Sequence, residues 1–101
     1  MKIQDKSALV LDPSDNVATV LTDVKAGEPV ILKGTENSIV SAEKILFGHK
    51  IALRTIHTGE NIVKYGQKIG TAASDIQPGA WIHLQNMVSS LDADFRKRIE
   101  K

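Results

Sequence analysis

The feature that most constrains this chain is a corner that repeats. Asp23-Val24-Lys25-Ala26-Gly27-Glu28-Pro29-Val30 is echoed by Thr55-Ile56-His57-Thr58-Gly59-Glu60-Asn61-Ile62 and again by Asp75-Ile76-Gln77-Pro78-Gly79-Ala80-Trp81-Ile82. Each copy has a small polar residue, an aliphatic, two variable positions, a glycine, and an aliphatic three residues later. Glycine admits the positive φ that a tight turn often demands, and the flanking aliphatics can anchor both arms in a core. Each copy therefore reads as a turn entering a strand. Unequal spacing and only three copies argue against a solenoid and for one β-domain with pseudo-repeated corners.

Strands follow from β-branched and aliphatic enrichment between the corners: Ala8 to Leu11, Val17 to Leu21, Val30 to Lys33, Ser38 to Ser41, Lys50 to Arg54, Asn61 to Tyr65 and Trp81 to Leu84. Only the tail reads as helical. Val88, Leu91, Phe95 and Ile99 fall at helical spacing, Ser90 can cap, Asp92 and Asp94 lie in the first turn, and Arg96, Lys97 and Arg98 lie near the end. The expected organisation is a mainly β domain over residues 1–87 and a C-terminal helix or linker over residues 88–101. That helix either packs on its own domain or docks on a partner, and periodicity does not separate the two.

A length of 101 residues suits one small domain, and 42% hydrophobic with 25% charged residues places the chain among globular proteins. A net charge of +1 gives no electrostatic reason for a nucleic-acid or anionic-lipid partner. The absence of cysteine excludes disulfides, thiolate metal sites and a cysteine nucleophile, and suits a reducing compartment. No stretch reaches the roughly 20 apolar residues of a spanning helix, nor does the N-terminus read as a signal peptide. The expectation is a cytoplasmic protein with no membrane device.

Polar residues gather beside the glycines in one run: Gly48-His49-Lys50, Lys64-Tyr65-Gly66 and His83-Leu84-Gln85-Asn86. Glycines that fix the backbone alternate there with side chains able to meet an anionic substrate. His49 has the chemistry to transfer a proton near neutrality or to bind metal as neutral imidazole. Lys50 offers a compact positive charge for a carboxylate, although strand alternation points it away from the face of His49. Lys64 and Tyr65 sit where a strand ends in a corner. Trp81 shares a face with His83 on alternation, so it either walls a pocket or packs in the core. His57 occupies a variable turn position and reads as structural. No phosphate loop, nucleophile elbow or zincin pair is present, and four scattered aromatics do not make a stacking platform.

In order, Asp15-Asn16-Val17-Ala18-Thr19, Ala26-Gly27-Glu28, Gly48-His49-Lys50-Ile51-Ala52, Lys64-Tyr65-Gly66-x-x-Ile69-Gly70-x-Ala72, Asp75-Ile76-x-x-Gly79 and His83-x-x-Asn86 resemble the SAF domain that begins altronate and galactarate dehydratases. A similar domain forms the small subunit of sulfolactate sulfo-lyase. The resemblance runs from about Asp15 to Asn86. It implies a β-clip fold, a larger dehydratase subunit or domain as partner, and a sugar-acid substrate. Homo-oligomerisation is left open.

The implied chemistry is β-elimination, with a divalent metal such as iron or manganese usual in the dehydratases. Proton removal beside a carboxylate builds an ene-diolate, so such a site needs a base, cationic or metal stabilisation, and an acid for the departing hydroxyl. The resemblance implies His49 and His83 as catalytic groups, Lys50, Lys64, Tyr65, Gln85 and Asn86 as substrate-binding groups, and His83 as a candidate metal ligand. The family pattern reads His-x-His-Asn, and here Gln85 stands at the second histidine. Glutamine hydrogen-bonds a hydroxyl or carboxylate but is a poorer transition-metal ligand. The chain alone is expected to be inactive. The alternative is a non-catalytic module for sugar-acid binding or assembly.

Overall fold

A computed structural model describes residues 5–83 and 85–89. Its described part is mainly β and holds strands β1 (Lys6–Leu9), β2 (Val17–Val20), β3 (Pro29–Lys33), β4 (Ser38–Val40), β5 (Lys50–Ala52), β6 (Asn61–Lys64), β7 (Gln67–Ala72), β8 (Trp81–Ile82) and β9 (Met87–Ser89). One sheet runs β4-β3-β1-β2-β5-β8 and a second runs β6-β7-β9. All pairings are antiparallel except β1 with β3.

Four corners, not three, organise these strands. The additional one, second in chain order, is Lys44-Ile45-Leu46-Phe47-Gly48-His49-Lys50-Ile51, whose variable positions carry the exposed Leu46 and Phe47. Gly27, Gly48, Gly59 and Gly79 have φ values of 85, 86, 87 and 85°. In each corner the residue after the glycine donates its N–H to the carbonyl three residues back: Glu28 to Lys25, His49 to Leu46, Glu60 to His57 and Ala80 to Gln77. Glycine at the third position with positive φ is the type II pattern. The preceding aliphatics Val24, Ile45, Ile56 and Ile76 are all buried.

The corners work in pairs. Val24 bridges Ile45, and Ile56 bridges Ile76. Gly27 donates to the Ser41 carbonyl while Ser41 donates to the Glu28 carbonyl, and Gly48 and His49 hold Val20 in the same reciprocal way. Gly59 and Glu60 hold Ala72, and Gly79 and Ala80 hold Ala52. Each corner thus clasps the chain segment leading into its partner corner.

Two cores result. Ala8, Val10, Ala18, Val20, Val24, Val30, Leu32, Ile45 and Ile51 form one, and Val17, Ala52, Ile56, Ile62, Ala72, Ile76 and Ile82 form the other. Alternation along β2 and β5 sends successive side chains to different cores. Buried Asn16 fastens the smaller sheet to the larger, its Nδ2 donating to the Asn61 carbonyl and its Oδ1 accepting from Val63 N–H. Asp15 accepts from Gly66 N–H at 2.8 Å and fixes the β6–β7 hairpin. That hairpin turns on Tyr65 and Gly66, with φ values of 55 and 76°. Positive φ at both central residues is the type I′ geometry.

Two strands depart from the sequence expectation. β7 includes Gly70, a residue that weakens strand propensity, yet a Cβ there would lie 2.5 Å from the Val88 carbonyl oxygen. Close approach of β9 requires the glycine. Val88, expected on the apolar face of the tail helix, lies in β9 and pairs with Thr71. The expected helix from Ser90 onward lies outside the described residues. The Trp81 strand ends at Ile82, and the β5 strand ends at Ala52.

The corners make a stability comparison possible. At Gly59 an added Cβ meets nothing within 4 Å, so Gly59→Ala carries only the positive-φ penalty, about 1–2 kcal/mol. At Gly79 the same atom would lie 2.3 Å from the Val40 carbonyl oxygen, adding roughly 1–3 kcal/mol of overpacking to the same penalty. Urea unfolding is expected to rank Gly79→Ala well below Gly59→Ala, and equal midpoints would contradict the crowding at Gly79.

Candidate functional site

The strands that leave the second and fourth corners lie side by side. β5 pairs antiparallel with β8, Ile51 opposite Trp81 and Lys50 opposite Ile82. One more step of this register sets His49 opposite His83, two residues that are distant in the sequence and are brought together at this sheet edge. The rings meet: their centroids are 6.0 Å apart with 28° between planes. Trp81 lies 4.6 Å from His83 and 5.5 Å from His49, centroid to centroid. The structure therefore brings together His49, His83 and Trp81.

Hydrogen bonds hold each member. The Trp81 indole N–H donates to His49 Nδ1 at 3.1 Å, and Trp81 N–H donates to the Glu43 carboxylate at 2.9 Å. Asn86 does not present its amide to the groove. Its Oδ1 accepts from His83 N–H at 2.9 Å and its Nδ2 donates to the Trp81 carbonyl at 2.8 Å. Each end makes one bond to the backbone that carries His83, so Asn86 shapes the turn and keeps one further N–H and one further lone pair. Gln85 is exposed in that turn. Among the described residues, no side chain is hydrogen-bonded to either ring nitrogen of His83.

A groove of about 360 Å³ opens beside His49 and Trp81, lined also by Glu43, Lys44 and Leu46; His83 is not part of its lining. Phe47, 66% exposed, stands next to it in the corner. Glu43 and the indole N–H of Trp81 are the features that sequence reasoning missed. Alternation already placed Trp81 with His83, but the bond to His49 depends on the β5–β8 register, which no local pattern encodes.

Lys50 lies elsewhere. It shares a face with Ala52 and Ile82, whereas His49 shares a face with Ile51 and Trp81. Partial burial and, next, the positive charge of Lys64 hold the Lys50 ammonium below its ordinary pKa of 10.5. Lys64 also sits 5.0 Å from the Tyr65 ring centroid, a cation–π distance. Lys50, Lys64 and Tyr65 thus form a second patch on the other face of the sheet from the histidines. His57 is exposed in the third corner, 4.0 Å from Asp75, in keeping with a structural reading.

The donors present do not make up a metal site by themselves. Among the described residues, no three histidine, aspartate or glutamate side chains gather as a ligand set, and His49 Nδ1 is occupied by the indole. Borderline transition metals generally take three or four such donors. No helix among the described residues is long and apolar enough to cross a membrane.

Comparison with known proteins agrees with this architecture. Residues 6–90 match the family described as altronate/galactarate dehydratase SAF domain. The chain is 41% identical over 86 residues to altronate dehydratase of Bacillus subtilis, covering 85% of this chain and 17% of that protein. It is 36% identical over 77 residues to altronate dehydratase of Escherichia coli, covering 76% of this chain and 15% of that protein. It is also 36% identical over 42 residues to (2R)-sulfolactate sulfo-lyase subunit alpha of Paracoccus pantotrophus, covering 42% of this chain and 63% of that subunit. The chain thus spans about a sixth of the length of the dehydratases it matches. With the match extending over nearly all of its described residues, the chain belongs to the altronate/galactarate dehydratase SAF domain family.

Proposed function

We propose that this domain supplies the His49 and His83 imidazoles to a β-elimination on a hydroxy acid, altronate being the first candidate, in an assembly whose larger dehydratase region completes the site. The observation that carries this reading is the approach of the two rings to 6.0 Å, with His49 also lining an open groove. Two imidazoles at that spacing suit a substrate with several oxygens, where one proton leaves carbon and one hydroxyl departs as water. The paired corners agree with the β-clip fold that the family resemblance implies.

The small share of the related dehydratases that this chain covers supports a larger domain or subunit as partner. Iron or manganese in that assembly would take most of its donors from outside the described residues, with His83 as the candidate contribution from this chain. A metal there would supply charge stabilisation for the ene-diolate. Lys50 and Lys64, facing away from the groove and paired with no carboxylate among the described residues, suit an anionic group other than the one held beside His49. The exposed Gln85, in place of the family's second histidine, favours a second reading, a binding module without catalytic duty.

Reconstitution separates the two. Purified chain mixed with its large dehydratase partner is assayed for elimination from altronate, galactarate and sulfolactate. His49→Ala and His83→Ala are each expected to lower turnover by about 10²-fold or more, the usual scale for acid–base and oxyanion groups. Undiminished turnover in both variants would leave only the module.

The Lys50 environment gives a pH prediction. Because its folded-state pKa lies below 10.5, the unfolded chain binds more protons over the window between the two values, and stability rises with pH there. Below that window the cost of the half-buried charge is present in full. Lys50→Met is therefore expected to raise the urea midpoint at neutral pH, with the advantage shrinking toward pH 10.5. A pH-independent difference between variant and wild type would show that the charge is not the cause.

A further inference from the structure

We infer that Trp81 locks His49 in the Nε2–H tautomer, which makes His49 a fixed hydrogen-bond donor to a substrate oxygen and removes it from service as base or metal ligand. The indole nitrogen of tryptophan is a donor only, so at 3.1 Å the acceptor must be the Nδ1 lone pair of His49. An imidazolium carries N–H on both nitrogens and cannot accept. The bond therefore belongs to the neutral ring, with its single proton on Nε2.

Three consequences follow for the groove. Nε2 has no lone pair in this tautomer, so it neither abstracts a proton nor ligates a metal. Releasing its sole proton would leave an imidazolate, so His49 is not a general acid either. What remains is donation of the Nε2–H to an oxygen that gains negative charge, the role of a neutral histidine electrophile. Proton transfer then falls to His83, whose ring nitrogens are bonded to no described residue, or to the larger region.

Trp81 is in this arrangement a positioning residue. It is itself held by Glu43 through its N–H and by Asn86 through its carbonyl, so the indole is fixed from both sides of its backbone. The ligand class is an oxyanion of a hydroxy acid: its carboxylate or the ene-diolate derived from it. This assignment of the ligand rests on the proposed elimination, but the tautomer does not.

The two are tested separately. The whole chain, labelled with ¹⁵N in histidine and tryptophan, is observed by NMR at pH 8. Trp81 is the sole tryptophan, so its indole signal is unique. The expected result is an unprotonated His49 Nδ1, a protonated Nε2, and scalar coupling across the hydrogen bond to the indole nitrogen. A proton on Nδ1, or a missing coupling, overturns the inference whatever the chain's function.

In the reconstituted dehydratase, His49→Gln, which keeps an N–H donor but offers no base, is expected to retain at least tenfold more turnover than His49→Ala. Trp81→Phe, which keeps an aromatic ring but loses the N–H, is expected to lower kcat roughly tenfold with little change in KM, the scale of lost second-layer support. Equal loss in the two His49 variants, or full kcat in Trp81→Phe, overturns the donor role. Failure of all variants to affect turnover while the NMR result holds would instead reject the proposed elimination.

Discussion

The structure depends on one hydrogen-bonding device, a glycine corner that grips the strand approaching its partner corner. A type II turn leaves the glycine N–H and the following carbonyl pointing outward, and here both are satisfied by the same residue of a neighbouring segment. Positive φ near 86° in all four glycines lets one geometry recur without strain. Because the grip is reciprocal within each pair, neither corner can form its full bonding alone. The pairs then set where β5 and β8 begin, and so which residues face each other across their short ladder.

Burial of the aliphatic in each corner supplies the apolar half of the same device. Val24, Ile45, Ile56 and Ile76 are each at most 2% exposed and point into cores that the turns enclose. The buried polar residues do a different job. Asn16 and one carboxylate oxygen of Asp15 bond backbone groups of the second sheet, while the other Asp15 oxygen accepts from the Leu11 and Asp12 N–H groups, and an apolar replacement would leave these backbone groups unsatisfied. The family motif that contains them is accordingly a joint between sheets, which explains why it carries no group toward the groove.

Much of this was legible in the sequence, with gaps that have physical causes. Three corners stood out because each holds at least one polar residue at its variable positions, as turns usually do. The remaining one, at Gly48, was hidden by Leu46 and Phe47, which lie exposed where nothing in the turn selects residue type. β7 was hidden by Gly70, a packing requirement set by a strand far along the chain. Within the site, His49 and His83 were legible from their residue types and the family pattern, and Trp81 from its alternation with His83. Asn86 was read as a substrate contact, and its amide also braces the backbone around His83, a role that depends on turn geometry and not on residue type.

The corner comparison also explains how a structural device came to hold a site. In the first and third corners the residue after glycine is glutamate, and its carboxylate accepts the N–H at the start of its own turn, Lys25 in one and His57 in the other. Those side chains fold back and finish the turn. In the second corner that position is His49, and in the fourth it is Ala80. Neither closes its turn with a carboxylate, and these are the two corners from which β5 and β8 depart side by side. The imidazole faces the next strand, where the Trp81 indole meets it, and Glu43 from outside the corner accepts the Trp81 N–H. Where two corners carry self-closing glutamates, the other two carry histidine and alanine, and the groove lined by Glu43, His49 and Trp81 opens beside the histidine corner while the same glycine grip sets the strand register in all four.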